Sequence, residues 1–279
     1  LPTWLRRQRQ MCIRDRCLLP SVSLAASSLY SAKTPVASQS VTDRNLALSA
    51  ALNQVLIKLS GDLTVRDNAE LQASVANASS YVVQYRYLQN SNRAEGEPAL
   101  LLKADFEPKR MEELLKQHGF SVWPANRPDV LVWVVEDTLE AGRQVVTDRD
   151  HPLLQGVLAR ASERGVPTLL PLWDLDDQFM LPVDELWSLN ENAVLAASAR
   201  YDVSTVLVGR YSQTSSGTWY GAWQFLHQGE AQYYEYSTQF VDELAAAAID
   251  PLVKTLAERY AVSKVCLLYT SPSPRDDIS

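Results

Sequence analysis

The sequence predicts a mixed α+β protein in two units: a ferredoxin-like βαββαβ unit, then a three-layer α/β unit whose parallel sheet is extended by an antiparallel hairpin. Three observations predict it. Strand-like alternation and helix-like spacing follow one another in the order β-α-β-β-α-β up to residue 123. The break Pro124-Ala125-Asn126-Arg127-Pro128 then separates the halves. Beyond it, apolar runs of the kind buried on both faces of a sheet alternate with amphipathic helices, which argues parallel strands and right-handed crossovers.

In the first unit, residues 29–36 alternate and carry β-forming side chains. Thr42 or Asp43 suits a helix cap, and Leu46, Leu48, Leu52, Val55, Leu56 and Leu59 follow at helical spacing until Gly61 ends the run. A short helical stretch at 68–76, an insertion in the pattern, leads into a tyrosine- and valine-rich strand at 81–88. The polar run 89–97 is a loop and 98–106 the next strand. Pro108 fits the first turn of a helix carrying Met111, Leu114 and Leu115, and Gly119 closes it before a last strand at 120–123.

The second unit opens with the apolar strand 130–135, followed by a helix at 153–164, a second buried strand at 168–172, a helix at 192–201 and a strand at 204–208. Residues 218–226 and 231–238 form a hairpin turning at Gln228-Gly229. The closing helix is 241–260, with Leu244, Ala248, Leu252 and Leu256 on one stripe. The units are thus 26–125 and 126–264.

The two ends read unlike the rest. The run from Arg7 to Arg16 and the run from Cys266 to Asp276 resemble translated sequencing-adapter read-through, so the natural chain is expected to run from about Cys17 to Lys264. Both foreign segments, the first within 1–25 and the second 265–279, are expected to pack against nothing. Cys17 to Ala25 reads as the tail of a signal peptide, with Ser23 and Ala25 in the small positions and cleavage before Ala26. Export to the periplasm is the expectation. Cys17 stands too far ahead of the small residues to be a lipid-anchoring cysteine.

The three cysteines, Cys12, Cys17 and Cys266, all fall in these ends, so disulfides, thiolate zinc sites and cysteine nucleophiles are excluded between Ala26 and Lys264. That span also lacks the 18 or more continuous apolar residues of a membrane helix. The full chain carries 26 basic and 33 acidic residues, a net charge of −7. Without the ends the imbalance deepens to about −10, and no cluster of Lys and Arg remains to neutralise a phosphate backbone. Nucleic acid is excluded as a partner.

Chemistry-bearing residues are few. Asp174, Asp176 and Asp177 follow the strand at 168–172, and Glu136 and Asp137 follow the strand at 130–135. Groups just past the carboxyl ends of parallel strands line the crevice where ligands bind, so neighbouring strands bring five carboxylates to one rim, an oxygen-rich setting suited to magnesium or calcium. The competing reading makes Asp174 and Asp176 turn caps and leaves the others in water. His151, near Asp148 and Asp150, starts a helix, where acidic neighbours act as caps and dipole partners. No phosphate-cradling glycine motif and no Gly-x-Ser-x-Gly elbow is present. Aromatic residues concentrate in the hairpin. By strand parity Trp219, Trp223 and Phe225 pack on the closing helix, while Tyr220, with Tyr234 and Tyr236 nearby in some registers, offers an exposed patch for a glycan or protein.

The blocks Lys58-Leu59-Ser60-Gly61, Ala125-Asn126-Arg127-Pro128, Leu131-Val132-Trp133, Leu170-Pro171-Leu172-Trp173-Asp174-Leu175-Asp176-Asp177 and Val206-Leu207-Val208-Gly209-Arg210 together resemble the proteobacterial family called domain of unknown function two-thousand-and-sixty-six. The resemblance covers almost all of residues 29–264. More loosely, the second half is similar to the α/β domains of the Tol-Pal translocation protein and the curli secretion lipoprotein. These likenesses imply kinship and fold and assign no chemistry. The expectation is therefore a non-enzymatic, cofactor-free envelope protein that acts on an unidentified protein partner. The alternatives are a metal-dependent hydrolase or ligand-binding protein using the acidic rim, and a glycan-binding module.

Overall fold

The structure, a computed structural model, describes residues 29–91 and 96–262. The ends read as foreign, and the signal remnant, lie outside the described residues. In the first unit β1 (Ser31–Val36) turns Ala32, Thr34 and Val36 inward, as its alternation requires. The long helix α1 (Val41–Ser60) follows. Its cap is Ser40, whose side chain accepts the Asp43 N–H, so Thr42 and Asp43 lie one turn inside the helix. It ends at Gly61, which takes the left-handed φ of 71° and donates its N–H to the Ile57 carbonyl.

Next come a 3-10 turn (Leu63–Asp67), α2 (Ala69–Val75), a second 3-10 turn (Ala78–Tyr81), β2 (Val82–Gln89), β3 (Leu100–Phe106) and α3 (Pro108–Gln117). The sheet order is β1-β3-β2 with antiparallel neighbours, the split β-α-β of a ferredoxin-like unit. Leu52, Leu56, Leu71, Leu102, Met111 and Leu115 form its core.

One element departs from expectation. Residues 120–123 do not join this sheet; Val122 makes a single antiparallel bridge to Val262, beyond the closing helix. The cause is Trp123, whose side chain is buried in the core of the second unit while its N–H donates to the Leu59 carbonyl at 2.7 Å. A four-residue strand gains less from edge pairing than from sinking an indole into a core.

The second unit contains β4 (Val130–Thr138), β5 (Gly142–Val145), α4 (Pro152–Arg164), β6 (Thr168–Leu169), α5 (Leu175–Met180), α6 (Val183–Trp187), α7 (Glu191–Ser198), β7 (Thr205–Gln213), β8 (Trp219–His227), β9 (Glu230–Thr238) and α8 (Val241–Tyr260). Its sheet runs β5-β4-β7-β8-β9, with β6 pairing with the start of β4. β4 is parallel to β6 and β7, and β7-β8-β9 are antiparallel.

Strand parity divides the unit into three layers. Val130, Val132 and Val134 enter the core shared with α4 and α8, whereas Leu131, Trp133 and Val135 enter the core on the opposite face, with Leu186 of α6 and Val194 of α7. Two features of this sheet escaped the sequence reading. A short antiparallel strand, β5, pairs with the end of β4. The expected strand at 168–172 shrinks to Thr168 and Leu169, because Pro171 has no N–H to give a sheet and the chain turns away.

Arg127 fastens the two units. Its guanidinium donates to the carbonyls of Pro124, Arg164, Gly165, Lys58 and Trp123 at 2.7 to 3.2 Å, and lies 4.0 Å over the Trp123 ring. The acceptors come from α1, the linker and the end of α4, so one side chain ties together three segments distant in sequence.

Candidate functional site

The segment between β6 and α7 carries the most conspicuous surface of the protein. Leu172, Leu175, Phe179 and Met180 are 71, 82, 84 and 47% exposed. Leu175 and Phe179 stand one turn apart on one face of α5. A six-residue helix does not persist on its own in water, so tertiary contacts must hold this knuckle in place.

The acidic residues that sequence reading marked as metal ligands supply those contacts. Asp174 caps α5 by accepting the Asp177 N–H at 3.0 Å. Arg200, just beyond α7, places Nη1 and Nη2 on the two Asp174 oxygens at 2.7 and 2.8 Å, and Nη1 also reaches Asp177 Oδ1 at 3.1 Å. Asp177 is fully buried, and its Oδ2 accepts the Trp173 N–H at 2.8 Å and the Tyr201 hydroxyl at 2.5 Å. The Tyr201 oxygen in turn accepts the Leu172 N–H at 2.9 Å. Trp133 of β4 packs edge-on against both Trp173 and Tyr201, with ring centroids 6.2 and 6.1 Å away.

The electrostatics agree with a clamp. The Arg200 hydrogen bonds, followed by the Asp177 N–H, hold the Asp174 carboxyl down at about 2. Burial, then the hydrogen bond to Asp177, raises the Tyr201 hydroxyl to about 12. Trp173 adopts φ of 51°, a left-handed conformation costly for an indole side chain, which the Asp177 bond to its N–H helps to secure.

The expected rim of five carboxylates is not formed. Glu136 lies on the other face of the sheet from Asp174 and Asp177, following the parity of Val132 and Val134, and its Oε2 accepts the Tyr211 hydroxyl at 2.6 Å with His151 Nε2 at 3.4 Å. Asp137 faces Arg143 at 3.6 Å. Asp176 is exposed on α5. Among the described residues, no group of three or more His, Cys, Asp or Glu side chains is arranged to hold a metal ion.

The tyrosine patch is divided in the same way. Tyr234 pairs with Trp223 and Tyr236 with Gly221, which puts both on the α8 face of the hairpin, and the Tyr234 hydroxyl donates to the Ala248 carbonyl. Tyr220 faces the opposite side, as does Tyr233, the partner of Gln224. The His151 imidazole bonds the Tyr211 hydroxyl and neither the Asp148 nor the Asp150 carboxylate, although the His151 backbone N–H donates to the Asp148 carbonyl, and the buried His227 lies between Thr205 and Tyr260.

Sequence reading missed the knuckle. Its signal was present: Leu172, Leu175, Phe179 and Met180 fall at helical spacing, and Asp174 with Asp177 three residues on has the form of a cap and its return partner. That the apolar face points outward was not in that pattern.

Fold and site define a two-unit α+β protein with an apolar knuckle. Residues 24–124, which hold the first unit, match the model of a family described as Domain of unknown function (DUF8605). No curated protein matches the chain. Among solved structures, the chain is similar to the LpoB C-terminal domain from Salmonella enterica, at 15% identity and a TM-score of 0.28, over 40% of this chain and 83% of that one. It is similar also to lipoprotein GNA1162 from Neisseria meningitidis, at 12% identity and a TM-score of 0.29, over 47% of this chain and 96% of that one. Likenesses this weak assign no activity. No helix among the described residues is long and apolar enough to cross a membrane.

Proposed function

We propose that the protein is a non-enzymatic component of the cell envelope that works by docking its α5 knuckle into an apolar groove on a partner protein. The observation that carries this reading is the exposure of Leu172, Leu175 and Phe179 on a segment fixed by a buried carboxylate and an arginine. Apolar side chains held rigidly in water cost the free protein and reward a partner that covers them, at roughly 1.5 to 3 kcal/mol for each large side chain buried, less the cost of association. Asp176 is exposed on α5 beside these side chains, so a basic group on the rim of the groove complements it. The reading of Ser23 and Ala25 as a signal cleavage site supports an exported location. Kinship across both units with domain of unknown function two-thousand-and-sixty-six belongs to the same proposal.

The test is photocrosslinking in cells from a reactive residue at Phe179, compared with one at the exposed Lys254. One defined adduct from position 179, absent from 254 and abolished by Leu175→Asp in a chain that melts as the parent does, is the expected result. Equal adducts from both positions, or an adduct that survives Leu175→Asp, would sink the proposal. Fractionation into periplasm and cytoplasm checks the location independently.

A further inference from the structure

The sheet of the first unit leaves one face uncovered. Ala32 and Val36 of β1 and Leu102, Ala104 and Phe106 of β3 point into the core beneath α1 and α3, so the alternate residues of each strand face out. Register lines these up across the sheet. Lys33 lies directly opposite Lys103, and Lys103 directly opposite Arg86. Three cations distant in sequence thus stand abreast on neighbouring strands, about 5 Å apart.

Such a row costs stability, because like charges directly opposite one another across strands repel. Asp105 is the one carboxylate these strands add to the face; it lies 4.0 Å from Lys103 and accepts the Gln84 side-chain amide at 2.9 Å. Lys33 and Arg86 are exposed and have no ion-pair partner among the described residues. Protection of an open edge explains a charge on β1 or on β2, the two edge strands, but not a further cation on the central strand between them. A repulsion retained on an acidic protein calls for an anion to meet it.

The neighbouring row decides which anion. Pro35, Leu101 and Leu88 lie abreast one step along the strands, with Leu101 opposite both of the others. Pro35 is exposed and the two leucines are half-buried. Basic and apolar rows therefore run side by side on an open sheet face. β3 is paired on both sides, so its N–H groups are spent in the ladders and cannot cradle a small anion. A fluid surface of lipid headgroups needs no cradle and no fixed spacing, and the boundary below it receives apolar side chains.

We propose that this face binds the surface of an anionic phospholipid bilayer, Lys33, Lys103 and Arg86 meeting headgroup phosphates while Pro35, Leu88 and Leu101 rest at their base. Salt screens charge beyond about 8 Å, so the local row rather than the net charge of −7 sets the attraction. The face belongs to the first unit and the knuckle to the second, so lipid binding and partner docking are separately measurable.

The experiment is cosedimentation of the full chain with vesicles of equal parts phosphatidylglycerol and phosphatidylcholine, against vesicles of phosphatidylcholine alone. Binding to the anionic vesicles only, weakening as salt is raised, is expected. The deciding variant carries Lys33→Gln and Arg86→Gln together; parent and variant share the arginine-rich start of the chain, so their difference isolates the row. Each cation near the surface is worth about fivefold, so the variant binds about 30-fold more weakly. It melts at or above the parent temperature, since the repulsion is relieved. Lys254→Gln, on the second unit, binds as the parent does. Equal binding to neutral vesicles, binding unchanged by the double variant, an equal loss from Lys254→Gln, or a lower melting temperature for the double variant would overturn the proposal. Affinity for soluble poly-glutamate equal to that for the anionic vesicles would also overturn it, by assigning the row to an acidic polypeptide.

Discussion

Replacing Arg127 with alanine tests how the two units are held. The guanidinium makes five hydrogen bonds to carbonyls and covers the Trp123 ring. Each charge-assisted bond in isolation is worth roughly 1.5 to 3 kcal/mol, but the sum overstates the loss. Burial lowers the Arg127 value to about 10, a sign that desolvation offsets part of the gain. Breaking a buried charged network of this kind costs about 3 to 5 kcal/mol, and about 4 is the expectation here. Urea unfolding followed by tryptophan fluorescence reads it. With a slope of about 2 to 3 kcal/mol per molar, the midpoint falls by about 1.5 M. Arg127→Lys recovers only part of the loss, since one ammonium cannot meet carbonyls spread along a planar fork. The same variants expose residues 124–128 to limited proteolysis. A loss below about 1 kcal/mol for Arg127→Ala would refute the view of this residue as the fastening between units.

Two further outcomes follow from packing and from titration. At Gly209 of β7 an added Cβ would lie 2.0 Å from Trp223 Cζ3, and Trp223 is fully buried, so Gly209→Ala forces the indole to move and destabilises by about 1 to 3 kcal/mol in the same urea assay. Unchanged stability would show that this ring does not sit on Gly209. Lys58 has its value lowered by burial, then by Arg127, from 10.5 to about 8. Between those values the unfolded chain holds the proton that the folded chain has released, so stability rises with pH, by at most about 1.4 kcal/mol per pH unit. The rise is expected from about pH 8 to 10. Above it, half-buried tyrosines such as Tyr30 and Tyr201, both raised to about 12, favour the unfolded chain by ionising there first. Lys58→Met should flatten the rise, and a slope that survives that change would assign it to another group.

Long periodic stretches were legible because their pattern is redundant. The closing helix occupies Val241–Tyr260 as read, and Trp223 and Phe225 pack in the core with α8 as parity required. Short elements were not legible. α5 and α6 have six and five residues, too short for their spacing to say which face is buried, and α5 persists because Asp177, Arg200 and Tyr201 hold the chain between it and β6 in place. The carboxylates were found as a cluster and misjudged as a rim. Their spacing in sequence does not reveal that Glu136 and Asp177 serve opposite faces of one sheet.

By itself, the sequence determined what depends on local pattern: two units of mixed α+β class, the split β-α-β of the first, the parallel strands and hairpin of the second, and a middle without cysteine. Tertiary structure decided whatever depends on which residues distant in the chain come to share a face. It spent Asp174 and Asp177 on Arg200, turned Leu175 and Phe179 outward, parted Tyr220 from Tyr236, and closed the junction around Arg127 and Arg164. The physical reason is that periodicity records the direction of each side chain relative to its own element, whereas function rests on the contacts those elements make with one another.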